Sequence, residues 1–252
     1  MSNLHIPETT LISICWGKKY FELTLKAMVA SLCTTSFDKA AIVTDTSKIE
    51  LNKYNKILQE FSISIENEPI DIIEGEDNDD TRTSFSKLFI RLLNKYCDTL
   101  YSLNIQYDSC IINPDRWNTA FFDYDYVAAP WPIEIITASD MAYNKVDIIQ
   151  NNVGNGGFSL RSKKYINASC EMEVLHKNED LNLCVFNYQK MIERGINFAP
   201  QDVGLEFAVE HPIIGSKIFD RKFLMTYNSF GFHGEFNRAG MTYIDQKTKG
   251  IL

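Results

Sequence analysis

Hydrophobic and polar positions change period several times along this chain, and each change marks a predicted element. Residues 10–15, Thr-Leu-Ile-Ser-Ile-Cys, are a β-rich apolar run broken by Trp16-Gly17-Lys18-Lys19, which predicts a first strand and its exit loop. From Tyr20 the apolar positions Phe21, Leu25, Met28 and Leu32 recur at helical spacing. Ala40–Thr44 then predicts a second strand closed by Asp45, so the opening segment is a β-α-β unit. Residues 49–61 predict a second helix and 63–73 one or two weak strands. Thr83-Ser84-Phe85-Ser86 predicts the cap of a further helix, whose apolar stripe is Phe85, Leu88, Phe89, Leu92 and Leu93.

That helix leads into Leu103–Pro114. Leu103 and Ile105 begin a buried strand, Gln106-Tyr107-Asp108-Ser109 interrupts it, and Ile111 and Ile112 resume it before Asn113-Pro114. Asp108 thus stands where an apolar strand ends. In open α/β sheets ligands bind beyond the carboxyl ends of the strands, which places such a carboxylate against a bound molecule or its metal. A strand-end turn in which Asp108 bonds its own backbone explains the stretch equally well.

Beyond it, Phe121–Trp131 is dense in aromatics, with Asp123-Tyr124-Asp125-Tyr126 followed by Ala-Ala-Pro-Trp-Pro. Rings interleaved with carboxylates can hold sugars, and they can equally bury a proline-bounded strand, the safer reading for Tyr124 and Tyr126. Residues 137–150 carry little pattern and are expected to form a mobile loop. Val153-Gly154-Asn155-Gly156-Gly157 precedes a strand through Phe158 and Leu160, and glycines there let the backbone approach a ligand closely. Asn178-Glu179-Asp180 opens a helical face of Leu181, Val185, Tyr188 and Ile192 that ends at Arg194-Gly195. A last polar feature is His233, set between Gly231-Phe232 and Gly234.

Composition narrows the classes. The 252 residues, 45% hydrophobic and 12% aromatic, supply the core of one large α/β domain. A net charge of −8 argues against nonspecific nucleic-acid binding, which needs clustered cations. Five carboxylates crowd into Glu74–Asp80, where a solvated, mobile loop is the expected outcome. No window approaches the roughly 18 apolar residues of a membrane span, and the first residues lack a signal-peptide pattern. A soluble, cytoplasmic protein is expected, with peripheral membrane association still compatible. The six cysteines lie far apart without a Cys-x-x-Cys and are expected to be reduced core residues. There is no Gly-x-Gly-x-x-Gly and no Gly-x-x-x-x-Gly-Lys-Ser/Thr, so neither a dinucleotide fold nor a P-loop has support.

In order, Ile105-Gln-Tyr-Asp-Ser, Asn113-Pro-Asp-Arg-Trp, Asp123-Tyr-Asp-Tyr-Val-Ala-Ala-Pro-Trp-Pro, Gly154-Asn-Gly-Gly-Phe-Ser-Leu-Arg-Ser, Asn178-Glu-Asp and Phe230-Gly-Phe-His-Gly resemble a family of bacterial and viral proteins, few of them characterised, assigned as glycosyltransferases. The resemblance covers about Leu103–Gly234. It implies an α/β, GT-A-like single domain over 1–252 with a mixed, mostly parallel sheet flanked by helices. Residues of about 1–114 would form a Rossmann-like nucleotide-sugar-binding half, and about 115–252 an acceptor-binding half.

The activity it implies is transfer of a sugar from a nucleotide-sugar donor, with inversion, to a glycan, lipid-linked glycan or other hydroxyl acceptor. Asp180 would be the general base and Glu179 its alternate. Gln106-Tyr107-Asp108 would occupy the place of the Asp-x-Asp that holds Mn²⁺ or Mg²⁺ in GT-A enzymes, an amide replacing the first carboxylate, with Asp108 and His233 as metal ligands. Gln106, Asp108, Asp45, Trp131, Asn155, Gly156 and Gly157 would line the donor or acceptor. The rival readings are a non-catalytic nucleotide- or sugar-binding module, which the loss of that carboxylate favours, and a nucleotidyltransferase on a related sheet.

Overall fold

The structure, a computed structural model, describes residues 3–70, 79–131, 151–211, 213–214, 217–218 and 228–252. Strands β1 (Leu4–Ile14), β2 (Thr35–Thr44), β3 (Ile63–Asn67), β4 (Tyr101–Ile105), β6 (Tyr126–Ala128) and β7 (Phe158–Ser162) form one sheet in the order β3-β2-β1-β4-β7-β6. β3, β2, β1 and β4 run parallel, while β7 is antiparallel to both β4 and β6. A second sheet joins β5 (Ser109–Ile111), β11 (Gly231–His233) and β8 (Ala208–Val209) in the order β5-β11-β8. β9 (Ile213–Ile214) pairs with β10 (Lys217–Ile218).

Helix α1 (Gly17–Leu32) follows β1 as the periodicity predicts, and Phe21, Leu25 and Met28 are fully buried. Its first residue has φ +74, a left-handed conformation that glycine adopts without strain. Ser31, near its end, is buried, donates to the Ala27 carbonyl at 3.0 Å and accepts from the Ile111 N–H at 3.2 Å. One hydroxyl thus ties β5 to the helix layer. The later helices are α2 (Asn55–Glu60), α3 (Asp79–Tyr96), α4 (Lys163–Ser169), α5 (Glu179–Leu181), α6 (Tyr188–Glu193), α7 (Gln201–Phe207) and α8 (Arg238–Thr248). None of the described helices is long and apolar enough to cross a membrane. The cysteines are free; Cys15, Cys97, Cys110 and Cys184 are buried and Cys33 and Cys170 are exposed.

Several expectations are corrected. The continuous helix expected over 49–61 is instead one 3-10 turn, Leu51–Lys53, and the short α2, with a further 3-10 turn, Thr46–Lys48, just before the span. Asp45 accepts from the Ser47 N–H at 3.1 Å, and short polar Asn52 and Asn55 favour turns over a helix interior. α3 begins at Asp79, before the predicted cap, because Asp79 and Asp80 place their charges in its first turn. Thr83 lies inside it, its hydroxyl turned back to the Asp79 carbonyl at 2.7 Å. These two aspartates of the acidic run are therefore helical; the rest of that run, 71–73 of the weak-strand segment and the loop at 137–150 lie outside the described residues. The interrupted strand at Leu103–Ile112 is two strands in two sheets, β4 and β5, with Gln106-Tyr107-Asp108 as the step between them. The helical face after Asp180 is broken by a π-turn at Asn182–Phe186, since the Asn182 side chain accepts from the Leu175 and His176 N–H groups at 2.7 and 3.1 Å.

Replacing Ser31 by Ala leaves the buried Ile111 N–H without its acceptor. We expect a loss of about 1–3 kcal/mol, read as a lower urea midpoint at unchanged slope; an unchanged midpoint would show that β5 does not depend on this bond.

Candidate functional site

The carboxyl ends of β1 and β4 open onto a cleft of about 490 Å³ lined by Ser13–Trp16, Tyr20 and Thr24, by Thr81, Arg82, Phe85, Ser86 and Phe89 of α3, and by Gln106, Tyr107, Gly156 and Asn178–Asp180. Aromatic rings form part of its wall: Trp16 lies 4.4 Å from Phe85 and 5.5 Å from Tyr20, and Tyr20 lies 5.3 Å from Tyr107, centroid to centroid. This wall combines an exit loop, two helices and a turn that are distant in sequence. Trp16, Tyr20, Phe85, Arg82 and Tyr107 were not legible as site residues, because each also fits an ordinary core or loop position.

Behind the Gln106-Tyr107 turn the second sheet assembles a buried ion cluster. Register sets His233 of β11 opposite Ser109 of β5, next to Asp108, and continues the β11–β8 pairing to the position of Glu210. His233 Nε2 lies 3.4 Å from Asp108 Oδ1, and its Nδ1 lies 3.2 Å from Glu210 Oε1. Burial alone would neutralise the imidazole, but Asp108 and Glu210 raise its pKa to about 10. Burial likewise pushes both carboxyls up, and the His233 charge outweighs it, holding each below its ordinary value. Asp108 also accepts from the Glu235 N–H at 3.1 Å, and its main-chain carbonyl accepts from Gly234 N–H at 3.0 Å. Glu210 and its neighbour His211 form a pair at 3.6 Å that sequence reading missed, since nothing in Val209-Glu210-His211 marks a site.

The Gly154–Gly157 segment touches both the cluster and the cleft wall. A Cβ on Gly157 would lie 2.1 Å from His233 Nε2, and one on Gly156 would lie 2.9 Å from Glu179 Oε2, so backbone passes where side chains cannot. Asn155 accepts from the Gly157 N–H at 2.9 Å and is buried, so it shapes this segment from within. The Gly156 carbonyl accepts from Asn104 Nδ2 at 2.6 Å and from Arg161 Nη2 at 3.3 Å.

Arg161 is fully buried over Phe89, Tyr126 and Tyr165 and is paired with Glu179. Glu179 is thereby held by a cation. The neighbouring Asp180 is not: its Oδ2 accepts from the Gly156 N–H at 3.1 Å and its Oδ1 from the Leu181 N–H at 2.7 Å. Burial, then the charge of Glu179, push the Asp180 carboxyl up to about 6.

Gln106, Gly156, Glu179 and Asp180 therefore meet at one cleft, with Asp108, His233, Asn155 and Gly157 directly behind it. Two candidates lie elsewhere. Asp45 is not among the cleft-lining residues, and its carboxylate is engaged by the Ser47 hydroxyl at 2.6 Å and by Lys48 at 3.4 Å. Trp131 is buried, and its ring fills the space over Gly154.

Could Asp108 and His233 hold a divalent ion? Among the described residues no three His, Cys, Asp or Glu side chains converge as a complete ion site. His233 lies between the two carboxylates rather than beside them. Yet Asp108 Oδ1 is buried without a hydrogen bond and faces Nε2 at 3.4 Å, near the roughly 3 Å edge between adjacent ligands of an octahedral ion. An oxygen and a nitrogen donor suit Mn²⁺, and such ions usually take one or two protein ligands plus substrate phosphates. The pair fits an ion that a phosphate-bearing ligand completes.

Residues 78–233 match the model of a family described as protein of unknown function, DUF5672. No curated protein matches the sequence. Among solved structures, an active-site mutant of LgtC matches with TM-score 0.58 and 12% identity, covering 96% of this chain and 95% of that one. The galactosyltransferase LgtC in complex with donor and acceptor sugar analogues matches with TM-score 0.56 and 12% identity, over 96% of this chain and 100% of that one. At this identity the likeness establishes the fold: a mixed, mostly parallel sheet flanked by helices, of the GT-A type.

Substituting Ala for Gly157 forces a methyl into the space of the His233 ring. We expect a loss of about 1–3 kcal/mol, measured by thermal unfolding; stability within about 0.5 kcal/mol of wild type would mean that the segment and His233 are not in contact.

Proposed function

The chain belongs to the DUF5672 family, and we propose that it is a glycosyltransferase that moves a sugar from a nucleotide-sugar donor to a hydroxyl acceptor. The observation that carries this reading is the pairing, at the carboxyl ends of parallel strands, of an aromatic-walled cleft with the Asp180 carboxylate. An aromatic wall suits a planar base, and the half-domain up to about residue 114 supplies its rings. The segment beyond it contributes Gly156, Glu179 and Asp180 from the acceptor side. Similarity of fold to a galactosyltransferase supports the class.

Asp180 acts as the general base. A carboxyl pushed up to about 6 is still ionised at neutral pH and is a stronger base than an ordinary aspartate. Its two backbone hydrogen bonds fix the carboxylate and leave lone pairs for an acceptor hydroxyl. Because the Glu179 carboxylate is engaged by Arg161, Asp180 is the better base of the two carboxylates lining the cleft, which favours direct displacement with inversion. Asp108 and His233 would hold Mn²⁺ or Mg²⁺, which when bound offsets charge on the departing diphosphate. Gln106 presents an amide to the donor at the rim, and Gly156 and Gly157 keep the wall thin enough for a sugar to lie against backbone. Trp131 supports Gly154 from behind, and Asp45 caps the Thr46–Lys48 turn away from the cleft.

Release of free nucleoside diphosphate in a screen of nucleotide sugars separates a transferase from a binding module, which would release none. Asp180→Asn is expected to lower kcat by about 10²–10⁴-fold while the protein stays folded; activity within about threefold of wild type would remove Asp180 from the base role. The sign of the pH dependence follows from the base being needed ionised. The rate should fall as pH drops through about 6, a limb that Asp180→Asn abolishes.

A further inference from the structure

Glu210 has no part in the reaction as proposed, yet it is built into the site as closely as Asp108. It is buried, and strand register alone sets it beside His233. Its Oε1 lies 3.2 Å from His233 Nδ1. The Asn237 side-chain amide clamps the pair by their main chain, its Nδ2 donating to the Glu210 carbonyl at 3.1 Å and also to the His233 carbonyl. On the far side Gly157 leaves no room for the ring to move toward the cleft, since even a Cβ there would lie 2.1 Å from Nε2. The imidazole is therefore held by its own main chain, by a neighbour without a side chain, and at Nδ1 by the Glu210 carboxylate, with Asp108 facing Nε2.

From this arrangement we infer that Glu210 is the positioning residue of the cation site: by accepting the Nδ1–H of His233 it holds that proton in place, so that a binding cation displaces only the Nε2 proton to solvent and meets the lone pair facing Asp108. The inference rests on reading Asp108 and His233 as cation ligands. An unrestrained imidazole can carry its proton on either nitrogen, and only the form protonated at Nδ1 offers Nε2 to an ion. Carboxylates that accept the second ring N–H of a metal-binding histidine orient the ring and make it a better donor. Glu210 touches neither the cleft nor the reacting groups, so its effect should appear in ion affinity.

The test is a Mn²⁺ titration of the whole chain with and without a nucleoside diphosphate, followed by the electron paramagnetic resonance signal of the free ion against the same titration without protein. Circular dichroism checks that each variant is folded. Wild type should bind, His233→Ala should not, and Glu210→Gln and Glu210→Ala should each weaken binding by about 10–100-fold. Glu210→Asp should recover part of the loss. Glu210→Gln binding within about twofold of wild type, with His233→Ala still impaired, overturns the role of Glu210 and leaves the cation site standing. No binding by wild type even with the nucleoside diphosphate present, or binding untouched by His233→Ala, overturns the cation site and this inference with it. Should the Glu210 variants not fold, wild type loaded with Zn²⁺, a diamagnetic substitute, gives the answer by long-range ¹H–¹⁵N spectra. The remaining ring proton of His233 is expected on Nδ1, and a proton on Nε2 overturns the inference.

Discussion

The interaction on which this structure turns is the buried charge sequence Asp108–His233–Glu210, in which one imidazole separates two carboxylates. Neither carboxylate could stay ionised at that depth alone, and the imidazole could not stay protonated without them. Three short strands from distant parts of the chain must therefore pair for any of the charges to be tolerated. The small β5-β11-β8 sheet is the device that meets this demand. It fixes the Gln106-Tyr107-Asp108 turn at the end of β4, and that turn forms part of the cleft wall.

A second buried ion pair sets the opposite side of the cleft. Arg161 reaches from β7 to Glu179 and to the Gly156 carbonyl, so it joins the glycine segment to the start of α5. Asn104 of β4 holds the same carbonyl. Asp180 then takes its place by accepting the Gly156 N–H. Rigid support behind a single carboxylate is what proton transfer requires, because a base acts only within hydrogen-bond reach of its proton. Arg161 also explains why two adjacent acids differ in chemistry: one is paired with a cation, and the other hydrogen-bonds only backbone.

Much of the framework is legible in the sequence because it follows period. The runs ending at Cys15, Thr44 and Ile105 read as strands, and the Phe21–Leu32 spacing reads as a helix, each by its own pattern. What period could not show is where a strand changes sheet. Leu103–Ile112 carries one apolar rhythm on either side of Asp108, and only pairing partners far along the chain divide it into β4 and β5. The same limit applies to the site. Asp108, Asp180 and His233 stand at breaks in the pattern, where a polar residue beside an apolar run or a glycine attracts notice. Glu210 lies at the end of a two-residue strand with no such signal, and Arg161 resembles any strand arginine until its burial is known. Trp131 shows the reverse error of emphasis: a prominent aromatic in a proline-rich stretch is packed over Gly154.

The central claim is that the aromatic cleft and the Asp108–His233 pair together receive a nucleotide sugar with its divalent ion. The most direct measurement is thermal unfolding against a panel of nucleotide sugars with and without Mn²⁺, since a ligand bound only by the folded state raises Tm as its concentration exceeds Kd. The account predicts that at least one nucleotide sugar raises Tm, more so with Mn²⁺, and that Asp108→Asn removes the Mn²⁺-dependent part. An unchanged Tm across the whole panel, with and without the ion, would contradict it.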